Sequence, residues 1–141
     1  MSALEFRQVT IPIARAFGSA GPPAAFRLAP DEWLLLGDDA SAALAVGGSD
    51  VVDFSSGFVC LELSGERWED AFRHLSDLEL PEVRPALVQG HVAEVDCKAV
   101  VGPELLLLVP PIYAHHVRDV LLGLAEVGFQ TREVSPERIV A

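Results

Sequence analysis

"FVCLELSGERWEDAFRHLSDLEL", residues 58–80, reads as a strand handed directly to a helix. Phe58, Cys60 and Glu62 alternate with Val59, Leu61 and Leu63, so one face of the strand is wholly apolar and the other ends in a carboxylate. Beyond Ser64, a candidate N-cap, Trp68, Ala71, Phe72, Leu75 and Leu78 recur at helical spacing. They predict an amphipathic helix that Pro81 and Pro85 end.

Downstream, Gln89 to Val101 reads as one strand, Gly102-Pro103-Glu104 as a turn, and "LLLLVP" as a fully apolar strand. Pro111 stands where a first helical position would be, "PIYAHHVRDVLLGLAEVG" is a helix closed by Gly128, and "FQTREV" is a last strand. The order from Phe58 onward is therefore β-α-β-β-α-β. That is an α+β, ferredoxin-like arrangement: an antiparallel sheet with two helices on one face.

Upstream, "AAFRLAPDEWLLLG" reads as a hairpin turning at Ala29-Pro30-Asp31-Glu32, and is expected to extend the sheet. "DDASAALAVGG" follows as a short helix with Asp38 or Asp39 as N-cap. "VVDFSSGFVCLELSG" is one long strand region, bent at Ser55-Ser56-Gly57. The expected organisation is an N-terminal arm and linker at 1–23, a single α+β domain at 24–134 and a tail at 135–141. "WLLL" at 33–36 echoes "LLLL" at 105–108. Each has four apolar residues where a half-exposed strand would alternate, so each is expected to be covered on both faces.

Half of the 141 residues are apolar, which suits a single folded domain rather than a disordered chain. Ten Lys plus Arg stand against 21 Asp plus Glu, a formal net charge of −11, so nucleic acid and anionic membranes are not expected partners. No segment reaches the roughly 18 apolar residues of a spanning helix, and no secretory h-region opens the chain, so the expected location is cytoplasmic. A mean hydropathy of +0.33 is high for so small a chain, and implies that part of its apolar surface is covered by another chain.

The residues that could carry chemistry do not assemble into a motif. His115 and His116 point about 100° apart on a helix and cannot converge on one metal; His74 and His91 lie in different elements. Cys60 and Cys97 sit in apolar runs without CxxC spacing and read as buried, reduced thiols. The glycines of "AVGGSD" and "SSGF" lack phosphate-loop spacing, and Ser55 and Ser56 lack a nucleophile elbow. No catalytic, cofactor-binding or metal-binding residue is therefore assigned. The candidates are interface anchors: Trp33, Leu35, Phe17, Tyr113 and Trp68.

Three stretches, "AAFRLAPDEWLLLGDD", "DVVDFSSGFVCLELSGERWEDAFRHLSDLEL" and "ELLLLVPPIYAHHVRDVLLGLAEVG", follow one another in an order that resembles the gamma subunit of heterotetrameric sarcosine oxidase. Asp53 to Gly57 and Leu63 to Gly65 are similar more broadly to the folate-binding aminomethyltransferase superfamily of the glycine cleavage T protein. The resemblance implies a non-catalytic structural subunit of a complex that oxidatively demethylates sarcosine to glycine. Its partners would be alpha, beta and delta subunits, with FAD, FMN, NAD and folate on those partners and none on this chain. An isolated chain would be expected to form a homo-oligomer or to aggregate. The alternative the superfamily implies is a stand-alone folate-binding module.

Overall fold

The structure, a computed structural model, describes residues 4–47, 50–134 and 137–138. In chain order its strands are β1 (Leu4–Thr10), β2 (Ile13–Phe17), β3 (Phe26–Ala29), β4 (Glu32–Leu36), β5 (Val51–Asp53), β6 (Val59–Ser64), β7 (Ala86–Val92), β8 (Val95–Val101), β9 (Leu105–Val109), β10 (Thr131–Glu133) and β11 (Glu137–Arg138), the last pairing with β1. The helices are α1 (Asp38–Val46), α2 (Trp68–Leu75) and α3 (Ala114–Gly123). The described residues divide into two compact units: Leu4–Val9 with Phe58–Glu137, and Thr10–Gly57 with Arg138.

The first unit is the ferredoxin-like one. Its strands run in the order β10-β1-β6-β9-β8-β7, antiparallel except for the parallel pair β1 and β10. β6, α2, β8, β9, α3 and β10 supply the β-α-β-β-α-β frame, β1 is inserted between β6 and β10, and β7 is added at the edge. Alternate residues of the strands, among them Leu61, Leu63, Leu105, Leu107 and Val109, meet Trp68, Phe72 and Leu75 of α2 and Val117 and Leu121 of α3 in one core. Burying a side chain such as Phe72 stabilises the fold by roughly 1.5–3 kcal/mol. In α2, Glu69 and Asp70 occupy the first turn and Arg73 and His74 the last, which complements the helix dipole at both ends.

The second unit is a four-stranded sheet, β3-β4-β2-β5, with α1 on one face. Trp33 and Leu35 of β4 pack with Ala14, Ala16 and Ala40 on that face, while Leu34, on the other face, has no accessible surface. The unbroken apolar run of β4 is thus covered on both faces. The same holds in β9, where Leu108 is as buried as its neighbours on the helix side.

Several elements differ from the sequence reading. The hairpin expected to extend the main sheet pairs instead with β2 and β5 in this second sheet. The region expected as an arm holds two paired strands, β1 and β2. The strand expected to run from Val51 to Ser64 is two strands in different sheets, separated by a 3-10 turn at Ser55–Gly57. Ser55 causes that break: its Oγ accepts the Ile13 N–H at 2.9 Å and faces the Ile13 carbonyl at 3.3 Å, while Phe54 N–H donates to the same carbonyl. Those groups are committed to β2 and cannot continue a ladder.

Gln89 to Val101 is a hairpin, not one strand, turning at Ala93 and Glu94, both at positive φ (52° and 67°). Neither capping assignment holds: α1 is preceded by Gly37, with Asp38 and Asp39 in its first turn, and α2 by Arg67, while Ser64 ends β6. Of the expected tail at 135–141, only residues 137 and 138 are described; of the expected arm, residues 1–3 lie outside the described residues. Among the described residues, no helix is long and apolar enough to cross a membrane.

Candidate functional site

The turn between β7 and β8 is tied to α2 and α3 of the first unit. Ala93 N–H donates to the Leu75 carbonyl at the C-terminus of α2 (2.8 Å), and the Ala93 carbonyl accepts from His116 Nε2 of α3 (2.9 Å). A carbonyl only accepts, so His116 carries its proton on Nε2. His115 turns elsewhere, toward Asp119 at 3.4 Å. The adjacent histidines do not converge, in keeping with their spacing.

Beside this turn lies an open cleft of about 450 Å³ lined by residues including Arg73, His74, Asp77, His91 and Glu94. Two imidazoles and two carboxylates share it, but no group of three or more His, Cys, Asp and Glu among the described residues is spaced to hold a metal ion. Its one hydroxyl, on Ser76, donates to the His91 carbonyl (2.6 Å) and accepts from Leu78 N–H (3.1 Å), so it serves the loop. His74 stacks edge-on against Phe129 at 5.2 Å. The arrangement can bind polar groups, and it has no nucleophile backed by a base.

A second cleft, about 400 Å³, occupies a step in the sheet. The ladder between β8 and β9 ends at the pair Lys98 and Leu108, while the β7–β8 hairpin continues past it to its turn. Phe58, Gln89, Gly90, Asp96, Cys97, Lys98 and Pro110 line the recess. Burial pushes the Cys97 thiol up to about 11, with Asp96 adding to the effect, and burial alone pushes Cys60 up to about 12. Both thiols are free and protonated at neutral pH, which fits buried structural cysteines and removes them as nucleophiles.

The proposed interface anchors fall into two groups. Leu35 is 1% exposed and Trp68 5% exposed, with the Trp68 indole N–H donating to the Pro103 carbonyl at 3.0 Å, so both are core side chains with no surface to offer. Trp33 is partly buried, its Nε1 donating to the Gly18 carbonyl at 2.9 Å and its ring lying under the Arg27 guanidinium. Phe17 (43% exposed) and Tyr113 (48%) do present apolar surface. Sequence reasoning missed two neighbours: Val52, on the strand beside Phe17, and Ile112, next to Tyr113 and 81% exposed. Pro110 and Pro111 ahead of Ile112 were the available signal, because they force a tight turn that lifts it out of the helix pattern.

No protein-family model matches this chain, and no curated protein sequence matches it. Among solved structures, it is similar to a chain of the heterotetrameric sarcosine oxidase from Corynebacterium sp. U-96, determined in complex with pyrrole 2-carboxylate. The TM-score is 0.70 at 16% identity, over 87% of this chain and 84% of that one. At that identity the likeness is one of fold, and it spans most of both chains.

Proposed function

We propose that this chain is a non-catalytic, gamma-type subunit of a heterotetrameric complex that oxidatively demethylates sarcosine to glycine. Its partners are alpha, beta and delta subunits, and the flavins, NAD and folate reside on them. The observation that carries this reading is the extent of the fold match to a chain of such an oxidase, 87% of one chain and 84% of the other. The three sequence stretches from residue 24 onward that resemble the gamma subunit agree with it.

One further feature supports a structural role. Large apolar side chains remain exposed at Phe17 and Val52 in one unit and at Ile112, Tyr113 and Leu122 in the other. Residues of that kind become energetic anchors when a partner covers them.

The test is turnover. The purified chain is expected to form no peroxide from sarcosine, and to assemble with the other three subunits into a complex that does. Sarcosine-dependent peroxide formation by the chain alone would overturn the proposal.

A further inference from the structure

Lys98 is the only lysine in the sequence, and with Arg27 it departs from a rule that the other described cations obey. Every arginine whose side chain is described has a carboxylate within ion-pair distance, apart from Arg27, which donates to the Pro30 carbonyl and lies over Trp33. Lys98 has no such partner among the described residues. Its side chain is partly buried, and its ammonium sits 5.8 Å from the centroid of the Phe58 ring, at the outer limit of a cation–π contact. In a chain with 21 acidic residues, a half-covered cation without a carboxylate leaves a place for an anion.

We propose that the step between β9 and the β7–β8 hairpin is a binding site for a small monocarboxylate bearing a flat apolar group. Lys98 supplies the counter-charge, and Phe58 and Pro110 supply the apolar wall. The recess, about 400 Å³, falls within the size range of small-molecule sites. Gln89, the cross-strand partner of Lys98, adds a polar amide to the lining. Asp96, two residues from Lys98 on the same strand face, is the one acidic group lining the cleft. A single lysine with Asp96 nearby can counter one negative charge at most, which favours a monocarboxylate over a phosphate or nucleotide. The Cys97 thiol, held protonated by burial, leaves the site to binding and not to covalent chemistry.

This site stands apart from the subunit role and is tested separately. The 141-residue chain carrying lysine labelled at Cε and Nζ gives one side-chain lysine resonance, which reports on Lys98 alone. Titration with benzoate is expected to shift it saturably, with a dissociation constant of roughly 1 mM or below. Benzamide, the same shape without the charge, is expected to bind at least about 10-fold more weakly, and Lys98→Gln is expected to lower benzoate affinity by about 10-fold, measured calorimetrically, with an unchanged melting temperature. A resonance that does not saturate with benzoate, an equal response to benzamide, or full benzoate affinity in the Lys98→Gln protein would each overturn the proposal.

Discussion

The Cα of Gly21 lies so close to the Trp33 indole that a Cβ placed there would come within 2.6 Å of the ring carbon Cζ3. The segment read from sequence as a flexible linker is therefore a fitted cover for one tryptophan. The ring cannot easily retreat, because its Nε1 is bonded to the Gly18 carbonyl and the Arg27 guanidinium lies over it. Gly21→Ala is expected to destabilise the protein by about 1–3 kcal/mol, the usual cost of overpacking. Denaturant unfolding followed by tryptophan fluorescence measures it; an unchanged midpoint would show that the segment yields freely.

Glu94 presents the opposite case. It is exposed and held at φ 67°, a region that costs an L residue roughly 1–2 kcal/mol. Glu94→Gly removes that strain at the expense of some chain entropy, and a net stabilisation of about 0.5–1 kcal/mol is expected from thermal unfolding. A loss of stability would mean that the Glu94 side chain makes a contribution larger than the strain.

Trp68 and Ile112 separate core from candidate seam. Trp68→Ala empties the centre of the first unit and breaks the bond to the Pro103 carbonyl, an expected loss of about 3–5 kcal/mol. Ile112→Ser, at a residue that is 81% exposed, is expected to change the stability of the isolated chain by no more than about 0.5 kcal/mol. Its effect is expected in assembly, as a weaker association with the partner subunits by sedimentation. Ile112→Ser chains that assemble as tightly as the parent would remove this end of α3 from the seam.

The buried thiols set an alkaline limit. Their pKa values are raised from 9.0 to about 12 at Cys60 and about 11 at Cys97, so folding favours the protonated form. Their contribution to stability is fully present below pH 9 and is lost as pH climbs from 9 toward 11 and 12. The parent protein is expected to lose stability over that interval, and the double variant Cys60→Ala, Cys97→Ala to show a shallower slope, though from a lower starting stability. Parallel slopes in urea titrations between those pH values would show that other groups set the limit.

Much of the first unit was legible because its signals are local. The alternation at 59–64, the helical stripe from Trp68 to Leu75 and the glycine at 128, which adopts φ 96° to end the helical region after α3, each state their element directly. What escaped was carried by unusual residues or by distant partners. Ala93 and Glu94 turn a hairpin without the Asn or Gly that normally marks positive φ, and they are held there by Leu75 and His116 from other elements. The break at Ser55 depends on Ile13, 42 residues away, which no window of sequence reveals. Lys98 was overlooked as a site residue because its isolation shows only when the ion pairs of the arginines are known.

Co-purification of the native complex is the most direct measurement of the central claim. A tag on this chain, in the cell that encodes it, is expected to bring down flavin-bearing subunits in fixed ratio, with flavin absorbance and sarcosine-dependent peroxide formation in the same fraction. Recovery of the chain by itself, colourless and inactive toward sarcosine under conditions that preserve the flavoprotein, would contradict the account.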